Sequence, residues 1–216
     1  MDRRSKPHRG YVRGRIAADR VRGNMSEMEI VTNSDRPDLE EQVKDAFRSV
    51  WPEFIFHDPI SNKYTGLVET YFPQYDVLLL DDGEVVTGGL AGKALTALRE
   101  RATAAGLQRV IAPVRPTLKS RYPLTPMEHF ARWARNDGLH LDPWIRAHQR
   151  LGARILGAAP QSMIISGTMA EWEDWAKMAF PETGQYIVAD ALDPVDINRE
   201  RDRGTYAETN LWMRHL

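Results

Sequence analysis

Helix and strand patterns alternate along this chain, which places it in the α+β class with α/β-type layering, a mixed sheet flanked by helices. Three stretches carry that prediction. Tyr75 to Val86 reads as strand, Asp-Gly turn and return strand; Gly88 to Pro116 as glycine turn, amphipathic helix and apolar strand; Asp142 to Ser166 as a capped helix ending in glycine before further strand pattern.

Taken in order, Glu29 to Val31 predicts a first edge strand, and Asp35 to Asp38 a turn and cap ahead of an amphipathic helix over Leu39 to Val50. Trp51 to Tyr64 is aromatic-rich and broken by Pro52 and Pro59, a loop leading to a second helix near Asn62 to Tyr71. Tyr75 to Leu80 is a strand, and Asp82-Gly83 is a strong hairpin signal. Leu90, Ala94, Leu95, Leu98, Ala102 and Ala105 keep helical spacing, with Gly106 placed as a left-handed cap. Val110, Ile111, Ala112 and Val114 are apolar on both faces, the pattern of a sheet centre. Arg115, Lys119 and Arg121 then sit in a proline-punctuated loop ahead of a helical stretch, Met127 to Arg135. Asp142-Pro143 opens a helix to Leu151 that Gly152 ends. Ala153 to Leu156 and Ser162 to Ser166 read as two strands, Ala170 to Met178 as a short helix and Tyr186 to Val188 as a strand. Asp193 to Leu216 reads as a polar tail with a last strand near Leu211 to Met213.

At 216 residues and 42% apolar content the chain can bury one substantial core, so one folded domain is expected over residues 25–216. No apolar run reaches the roughly 18 residues of a membrane span, and the amino terminus lacks the apolar core of a secretion signal; a cytoplasmic protein is expected. The absence of cysteine excludes disulfides, thiolate metal sites and a cysteine nucleophile. A net charge of -1 gives no global pull toward nucleic acid or membrane. Residues 1–24 differ: Arg3, Arg4, Lys6, Arg9, Arg13, Arg15, Arg20 and Arg22 face only Asp2 and Asp19, which reads as a disordered basic tail. An internal start at Met25 and a nucleic-acid arm working by phosphate neutralisation stand as alternatives for that tail.

Gly88, Gly89 and Gly92 let a backbone approach a ligand closely, and the free N–H groups and dipole of the following helix favour an anion there. A phosphate-bearing cofactor is the reading. The spelling excludes a P-loop, because Thr87 and Ala94 occupy its defining positions, and the spacing does not give a dinucleotide fingerprint.

The order of elements resembles the GNAT superfamily of acyl-CoA-dependent N-acyltransferases, over about Met25 to Leu216. Gly89 to Ala102, GLAGKALTALRERA, looks like the superfamily's pyrophosphate turn and helix; Leu107 to Val114, LQRVIAPV, like its central strand; Ala147 to Ile155, AHQRLGARI, like the segment where a helix ends in Leu-Gly before a strand. The resemblance implies a mixed, mostly antiparallel central sheet flanked by helices. That sheet is one to two strands short here, because only Thr87 separates the strand after Asp82-Gly83 from the glycine turn, as if an internal deletion followed about Val86. It also implies acetyl-CoA or another acyl-CoA as co-substrate, bound by Gly88, Gly89, Leu90, Ala91, Gly92 and Lys93, and an amine of a small molecule as acceptor. No metal is expected, since the histidines show no paired ligand spacing. A catalytically inactive GNAT-like remnant or binding module is the alternative function, and an open sheet edge left by the deletion would invite a homodimer.

Candidate catalytic groups follow from the chemistry of amine attack on a thioester, which needs a proton removed from the amine and one returned to the departing thiolate. Counting back from Gly152, His148 falls where the resembling family often has a tyrosine general acid; histidine titrates near neutrality. For the base, Glu53 and His57 lie among Trp51, Phe54 and Phe56, an aromatic surround able to raise a carboxyl pKa. Lys119 and Arg121 are candidates to meet phosphates or an anionic acceptor, with a solvated loop as the default.

Overall fold

The computed structural model describes residues 28–85 and 91–215. The basic tail and Gly88, Gly89 and Leu90 of the glycine turn lie outside the described residues.

The first half builds a small sheet. β1 (Glu29–Thr32) pairs antiparallel with β2 (Val77–Asp81), which pairs with β3 (Glu84–Val85). Between β1 and β2 come α1 (Glu40–Val50) and α2 (Pro59–Tyr71). The β2–β3 turn has φ of 52° at Asp82 and 82° at Gly83, the left-handed pair that Asp-Gly predicts. α2 begins earlier than its apolar pattern suggests, because buried Asp58 caps it: its carboxylate accepts from Ile60 N at 3.3 Å and Ser61 N at 3.0 Å. Val31, Leu78 and Leu80 close over Leu39 to form this sheet's core.

α3 (Ala91–Ala104) follows residues 86–90, and Gly106, φ 77°, turns the chain into β4 (Val110–Val114). The rest is α4 (Met127–Phe130), α5 (Pro143–Arg150), β5 (Arg154–Gly167), α6 (Met169–Ala176), β6 (Gly184–Tyr186), β7 (Val195–Asn198) and β8 (Arg203–His215). Helices thus flank antiparallel sheet, as the α+β class requires; the described pairings divide into the small sheet and a second, five-stranded one.

β8 is the axis of the second sheet. β5 runs antiparallel along nearly its whole length, from Arg154↔Arg214 to Gly167↔Gly204. The opposite edge is shared end to end: β4 takes Leu211 to His215 and β7 takes Arg203 to Tyr206. Three expectations are corrected here. The strand read as a sheet centre, β4, pairs among the described residues with β8 alone; Ile111 is half exposed, and Pro113, which has no N–H to donate, fits an edge. The stretch read as a polar tail holds the central strand instead, since its inward positions Tyr206, Glu208 and Asn210 include polar groups that periodicity in apolar residues cannot reveal. The two strands read between Ala153 and Ser166 are one, β5, with a bulge between Ala159 and Met163.

Candidate functional site

Two of the fully buried charged side chains, Lys119 and Glu208, come together beside the middle of β8. On one edge β7 ends at Val195↔Tyr206 and β4 at Val114↔Leu211, so residues 207–210 face a fork that no strand of the described residues enters. On the other edge β5 bulges: Ala159 pairs with Asn210 and Met163 with Glu208, while Gln161 takes φ 52°. Bulges of this kind re-aim side chains and recur beside functional sites.

Four charged groups fill the fork. Arg115, the first residue after β4, donates from Nε to Glu208 Oε2 at 2.9 Å and from Nη2 to Asp190 O at 2.7 Å, and its guanidinium lies over the Trp51 ring. Glu208, with no exposed surface, also accepts from the Tyr206 hydroxyl at 2.8 Å. Lys119 is wholly buried and donates to Leu192 O at 2.5 Å and Tyr122 O at 3.1 Å, with Asp193 Oδ1 at 3.6 Å. Asp193 Oδ2 accepts from Thr209 N at 2.8 Å, a side chain standing in for the missing strand partner. Burial lowers the Lys119 ammonium, with Asp193 opposing that shift, and burial pushes the Tyr206 phenol up, helped by the neighbouring Glu208 charge. Tyr206 is therefore a donor here and no source of phenolate. Two acceptors in this interior have no donor among the described residues, Glu208 Oε1 and Asn210 Oδ1. Leaving a buried acceptor unmatched costs about 1–3 kcal/mol, so the pair calls for an explanation.

The residues chosen from sequence scatter relative to this fork. Glu53 and His57 come together, His57 Nε2 lying 3.5 Å from Glu53 Oε1 with its ring stacked on Trp175 at 4.2 Å. Their segment reaches the fork, since Phe54 packs edge-on to Tyr206 at 5.2 Å and Trp51 sits over Arg115. His148 lies at the other end: its Nδ1 is 3.0 Å from Nε2 of His215, seven positions along β8 from Glu208 and so about 23 Å away. Burial, then the His215 ring, holds the His148 pKa down at about 4, which leaves no imidazolium to serve as an acid near neutrality. Lys119 has no exposed surface and its ammonium is held by the carbonyls of Tyr122 and Leu192, an internal clamp joining two loops, whereas Arg121 is exposed. Ala91, Gly92 and Lys93 open α3, and Lys93 is exposed with its Nζ 3.7 Å from Met28 Sδ. Among the described residues no group of three or more acidic or histidine side chains could hold a metal ion.

The loading GNATL domain of CurA from Lyngbya majuscula superposes on this chain with a TM-score of 0.56 at 13% identity, covering 88% of this chain and 98% of that domain. The fold is GNAT-like. Over 145 residues, 59% of this chain and 50% of the relative, the sequence is also 32% identical to the arginine N-acetyltransferase avaD of Aspergillus versicolor. The chain spans half the length of that curated relative. No family profile matches it. Within this GNAT-like frame, sequence reasoning missed Glu208 and Asn210, the polar centre of the fork. Their signal was available in the strand-forming alternation of Thr205, Ala207 and Thr209 with Tyr206, Glu208 and Asn210.

Proposed function

We propose that this chain is an acyl-CoA-dependent N-acyltransferase that moves an acetyl group from acetyl-CoA to an amine of a small molecule. The observation that carries the reading is the 32% identity over 145 residues to an arginine N-acetyltransferase, joined to a GNAT-like fold. The substrate in that relative's name makes arginine the first acceptor to test.

In this reading the amine nitrogen attacks the thioester carbonyl, the C–S bond breaks, the amine loses a proton and the thiolate gains one. Gly88 to Lys93 would hold the pyrophosphate of the cofactor, since the N–H groups and dipole at the start of α3 favour an anion. The thioester would react beside Arg115 and the fork, at the end of β4. Glu53 and His57 remain the candidates for proton removal; what supports them is their segment's contact with Tyr206 and Arg115. The β4 edge that no described strand but β8 occupies also favours a second reading, an inactive remnant whose edge pairs with another chain as a homodimer.

Calorimetric titration of acetyl-CoA, with a thiol-release assay on arginine, separates the two. Saturable binding that Gly89→Glu abolishes, with thiol release dependent on the amine, is the expected result. A chain that neither binds acetyl-CoA nor releases thiol with any amine, and sediments as a dimer, refutes the enzyme.

A further inference from the structure

The fork is more than a polar plug. Its charged groups, Arg115 and Lys119 against Glu208 and Asp193, sum to zero, with Lys119 and Glu208 wholly buried and the other two partly so. Its free hydrogen-bonding capacity is of two kinds. Glu208 Oε1 and Asn210 Oδ1 are acceptors without donors among the described residues; Glu208 has no exposed surface and Asn210 is 8% exposed, and both project from the inward face of β8 at alternate positions, roughly 7 Å apart at the backbone. On the outer side Arg115, whose side chain is 18% exposed, uses Nε on Glu208 and Nη2 on Asp190, and among the described residues it makes no hydrogen bond from Nη1.

We propose that this fork binds the acyl acceptor and that the acceptor is a free amino acid. Its amino group donates to Glu208 Oε1 and Asn210 Oδ1, and its carboxylate accepts from Arg115 Nη1, next to the end of β4 where the thioester is delivered. This rests on the acyltransferase reading and deepens it. Charge selects the class: a zwitterionic head adds no net charge to a neutral network, whereas a bare ammonium or a bare carboxylate would leave one charge uncompensated in a poorly solvated site. Arginine's fork geometry also suits it to hold a carboxylate while its other edge stays fixed on Glu208. Trp51 forms the outer wall by holding the guanidinium plane against its ring.

The experiment is calorimetric titration, without acyl-CoA, of a set of free amino acids that includes arginine and lysine into the full chain. Their decarboxylated counterparts agmatine and cadaverine, and Nα-acetylarginine, are titrated alongside. An amino acid binding about tenfold or more tighter than its decarboxylated and N-blocked analogues is expected, since each loses one charge-assisted contact. Arg115→Gln should bring the amino acid down to the level of its decarboxylated analogue and leave that analogue unchanged. Asn210→Leu should weaken the amino acid while the melting temperature holds or rises, because an unmatched acceptor is removed; a merely structural Asn210 would lower it. Equal affinity for an amino acid and its decarboxylated analogue, equal effects of Arg115→Gln on both, or no binding by any amino acid overturns the proposal. Amino-acid binding with no acetyl transfer sinks only the enzyme reading; acetyl transfer with equal kcat/KM for arginine and agmatine sinks only this site.

Discussion

His148 and Glu208 show how much the chemistry of a side chain depends on where its strand or helix carries it. His148, on the last turn of α5, is shut between the Trp144 ring at 4.4 Å and His215. His215 is itself lowered by burial and by Arg99, and His140 by burial. For His148 the folded pKa of about 4 lies below the ordinary 6.5, so the unfolded chain takes up the proton first as pH falls. Its contribution to stability is full above pH 6.5 and is lost as pH drops through the window down to about 4. That displacement corresponds to about 3 kcal/mol from this one ring. Urea unfolding across that window should show stability falling with pH, and His148→Leu should flatten the slope by close to one proton. An unchanged slope in the variant would mean the ring titrates normally in the fold. The sequence could place His148 near a helix end but could not show its burial, because the partner that encloses it lies 67 positions away. Lys119 and Glu208 were opaque for the same reason: a lysine in a loop and a glutamate in a polar stretch look solvated until the contacts of Leu192 and Arg115 are known.

At the level of elements, local chemistry was legible where a turn or cap decides it. Asp82-Gly83, Gly106, Gly152 and the Asp142 cap, which accepts from Trp144 N at 2.9 Å and Ile145 N at 3.1 Å, all stand where the sequence puts them. Strand rank was not legible. β4 has the composition of a centre but only one described neighbour, and Pro113 was the signal for an edge; β8 has the composition of a tail, yet three strands pair with it. One device that makes β8 central is the facing pair Gly167 and Gly204, which clears room for α6 to lay Trp175 and Trp172 on the sheet. A Cβ on Gly204 would stand 2.3 Å from Trp172 Cδ1, and Trp172 is fully buried. Gly204→Ala should therefore destabilise by about 2 kcal/mol through forced repacking of the indole. Gly66 in α2 is the contrast, with nothing within 4 Å of its would-be Cβ. Gly66→Ala should stabilise by about 0.5–1 kcal/mol from helix propensity alone. Denaturant midpoints of the two variants should move in opposite directions; a shift of the same sign in both would break the packing account.

Across the whole molecule the two sheets differ in how much core secures them. The first has strands of four, five and two residues over a buried cluster of Val31, Leu39, Leu78 and Leu80. The second is built on strands of fourteen and thirteen residues with large buried side chains on it, among them Trp172, Tyr206, Phe54 and Phe180. α3 ties the halves together, Arg101 Nη1 donating to Gln74 O at 2.7 Å and Arg99 Nη1 to Leu151 O at 2.6 Å. A small sheet with a thin core opens at a lower free energy than the unit it leans on. Amide exchange in β1 and β2 should accordingly run faster than in β5 and β8, by a margin set by sub-global opening rather than by exposure. Acyl-CoA should then narrow that margin, because the proposed cofactor path starts at the α3 turn joined to the first sheet and ends beside β4 in the second, so only a molecule with both halves closed binds it. Equal protection in the two sheets without ligand would make the chain a single cooperative unit and remove the reason for acyl-CoA to favour one half over the other.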